Sequence, residues 1–305
     1  MFFCAPACAE KLQVSPEALT TLEKIYSGDL SGAIEDALRI QQEHPEQPIG
    51  YALEAEALWW KIWCTSAEFK YGMTYPRHRP KLASDRHYFD LAAKVSALAQ
   101  EQLKEHETPE MHFYAGTGDA LAARLYGLRA EGRNTAHSAV RAREHFMRAV
   151  ALDPDFADAY FGLGLYNYYV DTLSGAARIL RFFMGIPGGS KQEGIRQLER
   201  AIAEGVLTPP EARFYLAISL HNYDQKYERA LEIITPLVEK YPSNPLLQMA
   251  RGDLLAKLGR KELAAECYRT AGEGVIHDPE CQSRVQILVR ASLAAVGMNA
   301  SATSP

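Results

Sequence analysis

One pattern constrains this chain more than any other. A small or apolar residue recurs at relative positions 0, 4 and 7 of a segment, with proline at position 12. It occurs as Ala33/Ala37/Ile40 with Pro45, Ala142/Phe146/Ala149 with Pro154, Ala230/Ile234/Leu237 with Pro242, and without the proline as Ala264/Tyr268/Ala271. The spacing sets three residues on one helix face. Alanine there allows a neighbouring helix to approach closely, and the proline ends the unit by forcing its predecessor out of helical geometry. Between Ala230 and Ala264 the step is 34 residues. Units of that length, each unable to bury its apolar face alone, predict helical hairpins stacked into one continuous core.

The rest of the chain reads the same way. About fourteen helices are expected, among them 16–27, 46–69, 155–170, 173–184 and 190–205. Thr108-Pro109-Glu110 signals a helix start with proline in its first position, and Thr208-Pro-Pro-Glu211 and Ser190-Lys-Gln-Glu193 read as capping boxes. No β-branched run alternates with period two, so the expected fold is all-α. Residues 10–297 form a single solenoid, clearest over 142–271, with 298–305 as a disordered tail.

The length and pattern resemble the tetratricopeptide repeat, and the resemblance includes Tyr160, Leu163 and Gly164 in the preceding helix. Asn167 departs from it, standing where the family usually has tyrosine. In that family the first helix of each pair lines a concave groove that grips peptides. The resemblance maps Phe161, Leu165 and Tyr168 to this face in one repeat, and Tyr215, Ser219 and Asn222 in a neighbouring one.

The regular step fails once. Ala142 and Gly194 head similar helices but lie 52 residues apart, 18 more than one step, so one helix is extra. Either 173–184 or 190–205 is the insertion; the spacing admits both. The segment Leu173–Ile186 is apolar on nearly every side, with Arg178 and Arg181 its only charges. A helix of that kind is normally buried. It would fill the groove, dock a partner, or lie against a membrane surface. The stretch Tyr166–Ala201 is similar to bacterial tetratricopeptide proteins and more faintly to the eukaryotic inclusion-body-clearance family, and neither resemblance implies an activity. The binding candidates are therefore Phe161, Leu165, Asn167, Tyr168, Arg178, Arg181, Tyr215 and Asn222.

Several chemistries find no support. The sequence Gly185-Ile-Pro-Gly-Gly-Ser-Lys191 lacks the second glycine and the Ser or Thr of a phosphate-binding loop. The nine histidines show no short metal-ligand spacing. Carboxylates such as Glu54 and Glu56 are expected on solvated helix faces. Trp59, Trp60 and Trp63 fall on a core-facing pattern, followed by a basic loop with Arg77, His78, Arg79 and Lys81. Catalytic residues, metal sites and cofactors are accordingly none.

A net charge of -5 with both signs interspersed gives no nucleic-acid signature. Ala7-Cys8-Ala9 has the small-x-small form of a secretory cleavage site, so residues 1–9 are expected to be the remnant of a signal peptide. Export to a periplasmic or envelope location follows, with the cytoplasm as the alternative. Cys64, Cys267 and Cys281 are an odd number without CxxC spacing and are expected to be small buried hydrophobes. The function expected is a non-enzymatic scaffold binding a protein or peptide on a concave surface. The alternative is a membrane-associated protein using residues 173–186, and an enzyme with a helical active site comes third.

Overall fold

The computed structural model describes residues 12–66, the backbone of 68–69 and 73–74, and residues 81–175, 177, 181 and 185–298. The first two hairpins are α1 (Pro16–Ser27) with α2 (Leu30–Glu43), and α3 (Pro48–Ser66) with α4 (Ser84–Glu105). The next two are α5 (Pro109–Leu128) with α6 (Gly132–Leu152), and α7 (Ala159–Thr172) with α8 (Lys191–Glu204). Then come α9 (Pro209–Ser219), prolonged by a π turn over Leu220–Asp224, with α10 (Tyr227–Lys240), and α11 (Pro245–Lys257) with α12 (Lys261–Glu273). The last helix, α13 (Pro279–Ala295), caps the stack. The helix expected over 46–69 ends at Ser66, and two-residue antiparallel strands, Glu68–Phe69 and Met73–Thr74, follow with Glu68 opposite Thr74. Among the described residues this is the one departure from an all-α fold.

The 0, 4, 7 positions are the seam of every hairpin that carries them. Ala33, Ala37 and Ile40 are buried in α2, as are Ala142, Phe146 and Ala149 in α6, Ala230, Ile234 and Leu237 in α10, and Ala264, Tyr268 and Ala271 in α12. Beyond the seam the terminating prolines gain a second role. The hydroxyl of Tyr51 donates to the Pro45 carbonyl, that of Tyr160 to Pro154, and the Gln248 side chain to Pro242, at 3.3, 3.0 and 2.9 Å. Each partner lies six residues past its proline, so one side chain repeatedly satisfies a carbonyl that the turn would leave open.

Packing also decides which helix is inserted. In α8, Gly194, Leu198 and Ala201 are all buried, and α8 packs directly against α7. Gly164 and Gly194 make this approach possible: a Cβ at Gly164 would stand 2.7 Å from Leu198 Cγ and 3.0 Å from the Gly194 carbonyl oxygen. The intervening stretch after Thr172 is therefore an insertion within one hairpin. Of it, Gly175, Ala177 and Arg181 have helical backbone, while Arg178 and most of its neighbours lie outside the described residues.

Curvature brings the two ends of the stack together. Asn244 Nδ2 donates to the Tyr26 carbonyl at 2.8 Å, Lys240 pairs with Glu23 at 2.7 Å, and Lys61 with Asp278 at 2.6 Å. A disulfide joins Cys64 near the end of α3 to Cys281 at the start of α13, a separation of 217 residues. This corrects the expectation of three plain buried thiols: the pairing is set by ring closure, which spacing in the chain does not reveal. Cys267 alone remains a buried thiol among the described residues.

Candidate functional site

The inside of the curve is a cavity of about 1150 Å³. Its walls come chiefly from the first helices of the hairpins: Trp59 and Trp63 from α3, Leu121 from α5, Phe161 and Tyr169 from α7, and Phe214 and Tyr215 from α9. The aromatic rings form a chain along the wall, with centroids 5.3 Å apart for Trp63 and Phe214, 5.8 Å for Phe214 and Tyr215, and 6.1 Å for Tyr215 and Phe161. Leu173, Ala177, Arg181 and Ile186 complete one side, so the inserted stretch borders the cavity.

Five of the binding candidates line this space: Phe161, Leu165, Arg181, Tyr215 and Asn222. Tyr168 does not. It is wholly buried, and its hydroxyl donates to the Ser219 carbonyl at 3.0 Å and to Asp224 at 2.9 Å. Asn167 is likewise turned to its own hairpin, donating to Gln197 of α8 at 2.8 Å. The neighbours Tyr166 and Tyr169 occupy the wall instead. Ser219, mapped to the groove by the family resemblance, is fully buried and hydrogen-bonds to Tyr169 at 3.1 Å. Arg178 lies outside the described residues.

A buried polar cluster stands in the wall, with no sign of it in the spacing of residues along the chain. Arg124 of α5 reaches Glu56 of α3 at 2.7 Å and Glu211 of α9 at 2.5 Å, while its guanidinium lies 4.3 Å over the Trp59 ring. Burial, aided by repulsion from Glu56, pushes the Glu211 carboxyl up to about 8 despite Arg124. Glu54 and Glu56 are both buried rather than solvated: Glu54 contacts His87 and Gln41, each at 2.6 Å, and Glu56 accepts from Trp60 Nε1 at 2.9 Å. Glu54 sits where α3 packs against its neighbours α2 and α4, and Glu56 where α3 meets Arg124 of α5, rather than facing solvent. The Thr208–Glu211 capping box does not form. Glu211 is drawn into the cluster, and the Thr208 hydroxyl donates to Asp158. The Ser190 box is half present, with the serine accepting from the Glu193 amide.

A second polar spot lies by Tyr166. The Arg143 guanidinium sits 5.3 Å from the Tyr166 ring centroid, and Arg181 Nη1 donates to the Ile186 carbonyl at 3.2 Å. The Tyr166 hydroxyl donates to the Pro187 carbonyl at 2.9 Å, holding that stretch against α7. Among the described residues, no group of three or more potential metal ligands converges. No helix of the described residues is long and apolar enough to cross a membrane.

Hairpins in regular alternation, a first-helix concave wall and a capping helix define a helical-repeat protein. Within it, residues 220–274, from the π turn through α12, match the tetratricopeptide repeat family. No curated protein matches the sequence. Similar solved structures include yeast Tom70, at 12% identity and a TM-score of 0.35 over 92% of this chain and 77% of that one. A human IFIT1 dimer with m7Gppp-AAAA is similar at 13% identity and 0.35 over 94% and 71%. Naa15/Naa10 bound to HypK-THB is similar at 14% and 0.28 over 94% of this chain and 53% of that one. At these TM-scores no inference about ligands passes from them to this chain.

Proposed function

We propose that this protein is a non-enzymatic interaction scaffold that seats an apolar helical segment of a partner protein in its concave cavity. The observation that carries the reading is the aromatic-lined space of about 1150 Å³ on the inner side of a tetratricopeptide-type stack. An apolar helix face suits such a wall because a helix satisfies its own backbone groups and needs few polar partners from the cavity. The wall stands preformed by helix packing, so binding costs the scaffold little reorganisation.

The disulfide between Cys64 and Cys281 supports an exported, oxidising location, since such bonds are rare where thiols are kept reduced. The mild charge of -5 supports a protein over a nucleic-acid partner. Selection from a displayed library of helical peptides tests the central claim, with Ala123→Phe as the counter-target because Ala123 lines the cavity. Selected peptides should show apolar residues at i and i+4 and lose binding to the blocked variant. Peptides that bind both proteins equally would overturn the reading.

A further inference from the structure

The two polar spots in the cavity wall differ in one respect. Arg124 is met by the carboxyl groups of Glu56 and Glu211, whereas neither Arg143 nor Arg181 forms an ion pair with a carboxylate among the described residues. Arg181 Nε is buried without a hydrogen-bond partner. Both arginines line the cavity and act electrostatically on the Tyr166 hydroxyl, whose pKa burial raises and the two cations oppose. The acidic groups that line the chamber, Glu56 and Glu211, are both engaged by Arg124, so this cationic pair faces an apolar wall with no ion-pair partner among the described residues.

From this we infer that the cavity binds a free long-chain carboxylate, with the head on Arg143 and Arg181 and the tail along Phe161, Tyr215, Phe214 and Trp63. Arginine guanidinium groups match a carboxylate through paired N–H donors. The aromatic chain offers the tail a continuous apolar surface, and an alkyl tail brings no polar group that the wall would leave unsatisfied. The inference uses the same cavity as the proposed partner segment but stands on the arginine pair, so the carboxylate would compete with that segment.

The protein carries its own reporter, because its three tryptophans all lie in α3 and Trp59 and Trp63 line the cavity. Tryptophan fluorescence of the intact chain should be titrated with dodecanoate and with dodecyltrimethylammonium, both below their micellar concentrations. Dodecanoate should saturate the signal and bind about tenfold more tightly than the cation, a difference of about 1.4 kcal/mol. Arg143→Gln with Arg181→Gln should remove the preference in a chain that circular dichroism shows still folded, and Ala123→Phe should abolish binding of both probes. Equal affinity of the wild-type chain for the two head groups would overturn the inference without recourse to any variant. Preference retained by the double variant would overturn it as well. Peptide capture that survives either result would leave the scaffold reading in place.

Discussion

Asp158 and Thr208 are joined twice: one carboxylate oxygen of Asp158 accepts both the backbone N–H and the side-chain hydroxyl of Thr208, each at 2.8 Å. The same carboxylate takes the amides of Val206 and Leu207 at 2.9 Å each. A residue at the start of α7 thereby closes the otherwise open amides that lead into α9, across the hairpin that holds the insertion. Asp158→Ala should strand these buried donors and cost about 3 kcal/mol. Thr208→Val, which loses only the hydroxyl bond, should cost about 1 kcal/mol. Urea denaturation of the two variants checks the order; equal losses would mean the amides do not depend on the carboxylate.

The seam between α7 and α8 depends on two glycines. Gly164→Ala places a methyl group 2.7 Å from Leu198 Cγ and should cost about 1–3 kcal/mol through forced separation of the helices. A neutral result in a thermal melt would show that the hairpin yields without loss.

Tyr168 separates a structural from a binding role. Tyr168→Phe should cost about 1–3 kcal/mol by removing the bonds to Ser219 and Asp224. Dodecanoate affinity should not move, since the side chain is fully buried and absent from the cavity wall. A large change in affinity with unchanged stability would contradict this placement.

Glu211 gives stability a particular dependence on pH. Its folded pKa, about 8, lies above the ordinary 4.5, so the folded chain keeps a proton there that the unfolded chain releases. That contribution is fully present below about 4.5 and is lost as pH rises through about 8. Glu211→Gln should flatten the decline between pH 5.5 and 8.5, measured as urea midpoints. The same slope in both proteins would remove Glu211 as its source.

The closing bond should matter to stability as a whole. Cys64→Ser with Cys281→Ser should lower stability by about 2–4 kcal/mol, because the bond restrains a very long stretch of unfolded chain. Cys267→Ser serves as the control for loss of a buried thiol. If the double variant and the control behaved alike, the bond would contribute nothing beyond burial.

What the sequence made legible was whatever depends on near neighbours along the chain. The alanine seams, the prolines and the Thr108 and Ser190 caps follow from local spacing, and each is where the spacing places it. The first-helix face was legible at Phe161, Leu165 and Tyr215 through family resemblance. What stayed hidden depends on closure. Glu56 and Arg124 lie 68 residues apart, and Cys64 and Cys281 lie 217 apart, with no periodic signal linking either pair. Tyr168 and Tyr166 are two positions apart on one helix, and only the course of α8 and the π turn decides which of them faces inward.

A stack of hairpins joined only to their neighbours behaves mechanically as a spring, able to lengthen or tighten by small tilts at every interface. The bond from Cys64 to Cys281, together with the contacts of Glu23, Tyr26 and Lys61, turns that spring into a hoop. In a hoop, a tilt at one interface must be compensated at another, so the inner width is a property of the whole circumference. A change at a distant hairpin would therefore be felt at the cavity as a change in bore.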